Sequence, residues 1–385
     1  PRSERVQVGI ENPFRSVFLV PPARGLIPQR HQEGHLCFVA NLLEEQAHCM
    51  VPPTVNPAYD YEYFKTISKL DEENERTLKS TIDVYRKLGA ILTFDCTPFF
   101  ENNVPRFGEI CSFSASGGAV YVNSVLGART NREAAQSAMC AAITGVTPEY
   151  GLLLEQNRAG DVLIQVEADV DSEYDYELLG YITPKKMGQA YHCPVFNGLS
   201  KQTTSEQLMD LGTQLNIHGI VPMFHVVGVT PEAADVHTAF LGRKDPPVVT
   251  ITNEDLDQAR AEISAGTGKA DFCILGCPHL TINQVGSIAK MLDGQQLAGQ
   301  LYIFTSTSTK ELAQRMGYLD IIHKAGGEIV INSCVDQPCW SHLYGMSGVT
   351  ESPKCAYYTK RWNMTFTVKS IPACIQSVLK GEIVS

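Results

Sequence analysis

Seven short apolar runs alternate with seven helical patterns along this chain, and that alternation limits the folds open to it. The runs are AILTFD (90–95), GAVYV (118–122), DVLIQVEA (161–168), IVPMFHVVGV (220–229), DFCILG (271–276), LYIFTS (301–306) and EIVINS (328–333). The helical patterns fall at 72–88, 132–144, 205–215, 254–265, 282–292, 309–317 and 371–380. Strands separated by helix-length segments favour parallel pairing, so the expected class is α/β, with mainly parallel sheets flanked by helices. Asn131 before REAAQ and Asn253 before EDLDQ read as N-caps with acids in the first turn, and Ser370 with Pro372 opens the last helix in the same style. The acidic stretch 167–177 and the Pro-rich stretch 242–249 suggest three α/β domains, at 1–165, 166–248 and 249–385. No internal repeat, low-complexity tract or long linker interrupts them.

A chain of 385 residues has room for a large core and more than one domain. Its net charge of −11 argues against a nucleic-acid backbone or an anionic membrane as the main partner, although a local arginine cluster can still hold an anionic substrate. No apolar run reaches the roughly 18 residues that a membrane-spanning helix needs. The start PRSERVQVGIENPFRS lacks a signal-peptide core, and since it opens on Pro1 rather than Met, its natural start is expected to be processed or absent. The twelve cysteines are scattered, with no CxxC pair, as expected of small buried hydrophobes in a reducing cytoplasm. The missing CxxC also argues against a thiol oxidoreductase. The first sixty residues are loop-rich; HQEGH (31–35) misses the zinc pattern H-E-x-x-H and reads as a surface turn.

Chemistry concentrates at three cysteines that share one position type. Cys96 follows AILTFD, Cys277 follows DFCILG, and Cys334 follows EIVINS. Each is expected just past the carboxyl end of a strand, where open α/β sheets bind their ligands. Three converging thiolates can hold iron with one position left for substrate; zinc on three cysteines, or plain buried thiols, are the alternatives. Residues 122–133, VNSVLGARTNRE, read as a strand-to-helix junction rich in donors. Arg129 there can grip a carboxylate or phosphate, with Asn123, Ser124, Thr130 and Asn131 adding neutral hydrogen bonds at a helix N-terminus. Arg132 reads as a solvated first-turn charge. His279, two residues from Cys277, is a candidate general acid or a partner to a metal ligand. Lys354, near Tyr357, can clamp an anion. No Walker A, G-x-G-x-x-G or G-x-S-x-G pattern is present.

Together these segments resemble the aconitase X family, specifically its large catalytic region. The carrying motifs are VPPTVNP (51–57), LTFDCTPFF (92–100), VYVNSVLGARTNRE (120–133), AAITGVTPEYG (141–151), FHVVGVTPEA (224–233), LGCPHL (275–280), INSCV (331–335) and SPKCAYY (352–358). The resemblance implies an aconitase-like multi-domain fold and an iron-dependent hydro-lyase, with Cys96, Cys277 and Cys334 as ligands. It implies an iron–sulfur cluster ([2Fe–2S] or [4Fe–4S]) or a mononuclear iron. Catalytic roles are expected for His279, Lys354 and Ser124, and substrate binding for Asn123, Ser124, Arg129, Thr130 and Asn131. The activity expected first is dehydration of cis-3-hydroxy-L-proline to 1-pyrroline-2-carboxylate, because one principal arginine motif suits one carboxylate. Dehydration of mevalonate 5-phosphate is the alternative, and a non-catalytic metal-binding scaffold is the alternative of another class. Ala134 and Ala135 stand where the family commonly has two glycines, and INS stands before Cys334 where an Asp-Thr pair is usual. The small swivel domain of the superfamily has no counterpart here, so a separate small subunit is the expected partner.

Overall fold

In the computed structural model, residues 7–10, 38–188, 190–264 and 266–384 are described. HQEGH lies outside them. Among the described residues twelve strands form three sheets. β1 (Gln7–Ile10), β2 (Thr54–Val55) and β3 (Cys111–Phe113) are ordered β2-β1-β3. β4 (Val162–Val166), β5 (Pro194–Asn197), β6 (His225–Val226) and β7 (Val248–Ile251) are ordered β6-β5-β4-β7. β8 (Phe272–Leu280), β9 (Gln300–Thr305), β10 (Gly327–Val330), β11 (Ser347–Thr350) and β12 (Thr365–Val368) are ordered β10-β9-β8-β11-β12. Every ladder between these strands is parallel, and helices make most of the crossovers among the described residues; the connection from β10 to β11 is a loop with one 3-10 turn, Ser341–Leu343.

The five-stranded sheet carries the feature that matters for function. From β8 the chain winds one way through β9 and β10, then returns to lay β11 and β12 on the other side of β8. The crevice at such a reversal, outside the strand carboxyl ends, is where a ligand enters an open α/β sheet. β8 is broken there: its register on β9 shifts between Leu275 and Leu280, and Gly276 has a φ of +107°. A Cβ on Gly276 would stand 2.3 Å from the Phe304 carbonyl oxygen, so only glycine fits. Local capping fixes the next helix, Ile282–Leu292: Gln284 returns its side chain to the backbone N–H of Thr281 at 2.9 Å. Its inward face buries Val285, Ile288, Ala289 and Leu292.

Several sequence expectations are corrected. GAVYV (118–122) is not a strand; it lies in the helix Ser116–Ser124, of which all but Gly117 is buried. A helix wrapped by protein has no polar face, so the 3.6-residue period that distinguishes it from a buried strand is absent. AILTFD (90–95) contributes one bridge, Ile91 to Thr54, and is otherwise loop. Residues 220–229 shorten to β6. Asn131 does not cap the following helix, Ala135–Thr144; Ala134 holds that position and its N–H donates to Ser137 Oγ at 3.0 Å. Asn253 falls inside the helix Asn253–Ser264, one residue further along than a cap. The acidic stretch 167–177 runs into the missed helix Glu173–Met187, which Ser172 and Asp175 cap reciprocally. The helices Tyr318–Ala325 and Pro353–Thr359 and the strands β5, β7, β11 and β12 were also hidden, being short or flanked by polar residues.

The helices Glu173–Met187 and Ser205–His218 pack face to face through Leu178, Leu179, Ile182, Leu208, Leu211 and Leu215. Gly180 lets them approach: a Cβ there would lie 2.6 Å from the Leu211 carbonyl oxygen and 2.9 Å from Gln214 Cβ. Alanine is the better helix former by about 1 kcal/mol, but overpacking against backbone costs about 1–3 kcal/mol. Gly180→Ala should therefore lower the thermal midpoint; a raised midpoint in a melting experiment would refute this contact.

Candidate active site

Three chain segments meet at the β8 break. The first is the loop after Ile91, where Asp95 Oδ1 accepts from the N–H and hydroxyl of Thr97 (2.9 and 3.0 Å) and thereby shapes the turn carrying Cys96. The second is β8 itself, with Cys277 and a cis peptide to Pro278. The third is the loop after β10, where Cys334 N–H donates to the Ala58 carbonyl at 3.0 Å and Asp60 N–H to Ser333 Oγ at 2.9 Å. Cys96, Cys277 and Cys334 are each half-buried and line one cavity of ≈80 Å³, together with His279, Asp336 and Lys354.

His279 joins these segments. Its ring is buried; Nδ1 meets Asp95 Oδ1 at 2.9 Å and Nε2 meets the Ser333 carbonyl at 2.9 Å. A carbonyl only accepts, so Nε2 carries its proton toward Ser333. Its backbone N–H donates to Cys96 Sγ at 3.2 Å. Both ring nitrogens are engaged in these bonds, a geometry that suits a positioning role for His279. Glu351, at the end of β11, supports the other side: its Oε1 accepts the N–H groups of Gly276 (2.6 Å) and Cys277 (3.2 Å). Lys354 follows on the helix Pro353–Thr359, with Nζ on Ser116 Oγ at 2.9 Å.

The donor set suits a thiophilic metal. Burial, with Asp95 adding, holds the Cys96 thiol well above its usual range. Burial also pushes Cys277 up to about 12, with the Lys354 ammonium pulling the other way. Thiols so placed ionise readily only when a cation enters among them. Asp95 Oδ2 is buried without a hydrogen-bond partner, and Asp95, Cys96 and His279 bring ligand atoms within 4.8 Å of one another. Since the imidazole is already spoken for, three cysteines remain the better ligand set, soft enough for iron or zinc.

The donors expected around 122–133 do not line this cavity. Asn123 bridges the chain, donating to the Thr130 and Pro222 carbonyls (2.9 and 3.0 Å) and accepting from Thr130 N–H (3.0 Å). Ser124 Oγ accepts from Phe224 N–H at 2.9 Å, and Thr130 Oγ1 from Phe113 N–H at 2.9 Å. Asn131 ties down Tyr150 and Leu152. Arg129 donates to the Leu153 carbonyl at 3.1 Å and pairs with Glu155. The segment follows a buried helix rather than starting one, so its polar groups satisfy loop backbone. Sequence reasoning missed Asp95, Ser116 and Glu351, and only the adjacency of Asp95 to Cys96 offered a hint.

Known proteins resemble this chain over most of its length. Family models for the first, second and third domains of aconitase X match residues 26–156, 160–261 and 270–380. The phosphomevalonate dehydratase large subunit of Thermococcus kodakarensis is 33% identical over 342 residues, 88% of this chain and 84% of that one. The protein of the same name from Methanothermobacter thermautotrophicus is 35% identical, covering 85% and 80%. The cis-3-hydroxy-L-proline dehydratase of Pseudomonas aeruginosa is 34% identical over 264 residues, 66% of this chain but 45% of that one. The crystal structure of Thermococcus kodakaraensis aconitase X in its holo-form superposes with a TM-score of 0.80 at 30% identity, covering 97% of this chain and 89% of that one. Fold, cavity and relatives together define a dehydratase, an enzyme of the lyase class. The chain belongs to the aconitase X family. No helix among the described residues is long and apolar enough to cross a membrane.

Removing the His279 ring leaves Asp95 and the Ser333 carbonyl buried without it. Each such group costs about 1–3 kcal/mol, so His279→Ala should unfold at clearly lower denaturant concentration than wild type. Unchanged stability in a urea titration would show that the ring is not the clasp described.

Proposed function

We propose that this chain is the large subunit of a two-subunit, iron-dependent dehydratase of a hydroxy acid, with mevalonate 5-phosphate as its substrate. The observation that carries the reading is likeness: two relatives named large subunits are 33% and 35% identical over 88% and 85% of this chain, against 34% over 66% for a hydroxyproline enzyme. Cys96, Cys277 and Cys334 hold the iron, whether as a cluster or a single ion. Iron bound there supplies a Lewis acid for the hydroxyl that departs. Lys354, fixed by Ser116, holds the acid group of the substrate as a point charge, and the tethered His279 keeps the Cys96 and Cys334 loops in register. Among the described residues no arginine and no untethered imidazole lines the cavity, and in this reading the small subunit supplies the base that takes the C–H proton.

One observation favours a second substrate, cis-3-hydroxy-L-proline. Lys354 is the one cationic side chain lining the cavity among the described residues, which suits a single carboxylate better than a carboxylate with a phosphate. Turnover of both compounds, measured anaerobically with iron and the small subunit present, decides between them. A preference of tenfold or more for mevalonate 5-phosphate is expected, and the reverse preference selects the second reading. Cys96→Ser, Cys277→Ser and Cys334→Ser should each lose the visible absorbance of the iron-loaded protein, while Cys193→Ala keeps it. Retention of absorbance by all three serine variants would sink the ligand assignment.

A further inference from the structure

Behind the Cys277–Pro278 segment lies a second and larger cavity of ≈590 Å³, lined by Pro278 but otherwise by different residues from the first. Three buried carboxylates reach it from three elements. Glu177 comes from the helix Glu173–Met187, Asp210 from the helix Ser205–His218, and Glu351 from the end of β11. Glu173 adds a fourth acid, held by Gln284 Nε2 at 2.8 Å. No lysine, arginine or histidine lines the cavity among the described residues. Glu351 is satisfied by backbone donors, but Glu177, 3% exposed, has its Oε2 buried without any hydrogen-bond partner.

Such a group of charges is costly unless something positive joins it. The chief neighbours acting on Glu177 are Asp210, Glu351 and Glu173, and those acting on Asp210 are Glu173, Glu351 and Glu206; after burial, all of them oppose ionisation. Two outcomes satisfy the physics: the acids share protons, or a cation sits among them. The size of the space, and a Glu177 side chain that lines it with one oxygen left unpartnered, favour the cation. The spacing says which kind. Among the described residues three ligand atoms come within 4.8 Å of one another at Asp95, Cys96 and His279, and nowhere among these acids. A bare ion chelated by three carboxylates at once is therefore not what this cavity is built for. A divalent ion that keeps several waters and touches one or two carboxylates fits both spacing and volume.

We propose that this cavity binds a hydrated divalent cation of the Mg²⁺ class, held chiefly by Glu177 and Asp210. The site is hard and oxygen-lined, distinct in chemistry from the thiol cavity and independent of which acid the enzyme dehydrates. Glu351 links the two, because the carboxylate that faces the cation also holds the N–H groups of Gly276 and Cys277.

Mn²⁺, which follows Mg²⁺ chemistry and is visible by electron paramagnetic resonance, serves as the probe on the full chain. The expected result is one bound Mn²⁺ per chain that Mg²⁺ displaces and that survives in Cys277→Ser. Glu177→Gln and Asp210→Asn should each weaken it at least tenfold; both changes remove repulsion, so neither variant should fail to fold. Undiminished binding in both carboxylate variants, loss of the signal in Cys277→Ser, or no binding at all overturns the proposal. Thermal stabilisation by spermidine with none by Mg²⁺ also overturns it, in favour of an organic cation.

Discussion

One buried imidazole holds the cavity together. The three cysteines are separated in sequence by most of two domains, and nothing local brings them into one place. His279 does so by reaching Asp95 with one nitrogen and the Ser333 carbonyl with the other, while its own N–H touches Cys96 Sγ. Each contact is to a residue beside or at a cysteine: Asp95 precedes Cys96, Ser333 precedes Cys334, and Cys277 lies two positions before the ring itself. A hydrogen-bonded network in a buried setting is costly to leave partly satisfied, which is what gives this arrangement its single geometry.

That clasp works only because the sheet delivers β8 to the right place. In the order β10-β9-β8-β11-β12, the reversal beside β8 opens a crevice, and the break at Gly276 turns the Cys277 backbone toward it. The N–H groups freed by this break would be orphaned if the strand simply continued into solvent-free space. Glu351, from the strand on the far side of the reversal, accepts both. Topology, a glycine that alone tolerates the Phe304 carbonyl, and one carboxylate thus solve a single accounting problem, that of a strand broken on purpose.

The large elements were legible in the sequence, and the reason is periodicity. The helices at Glu72–Leu88, Ile282–Leu292 and Ile371–Lys380 have one apolar face each, and their boundaries followed the pattern closely. Where a helix is buried all round, as at Ser116–Ser124, the pattern vanishes and the apolar run reads as a strand. The convergence of Cys96, Cys277 and Cys334 was legible for a partly wrong reason. Cys334 does follow a strand, but Cys277 lies within β8 at its break, and Cys96 sits on a loop whose apolar run merely packs. Arg129 and its neighbours lie off the thiol cavity, and from sequence alone donors at a chain reversal look alike whether they bind a ligand or their own backbone. Only the tertiary partners, Glu155, Phe224 and Pro222, distinguish the two.

The charge distribution around Cys277 then follows from these constraints. On one face of the Cys277–Pro278 segment lie thiols and the Lys354 ammonium; on the other lie Glu351 and the acids near it. Lys354 is held in place by a neutral hydroxyl, so its charge is not spent on a carboxylate and remains available to an anion. Glu351 accepts the backbone N–H groups of Gly276 and Cys277 and so stabilises the broken strand, while its nearness helps hold the Cys277 thiol up. In a chain whose net charge is −11, Lys354 is the one cationic side chain lining the thiol cavity among the described residues, with Asp336 its one carboxylate, while the other acids gather on the far side.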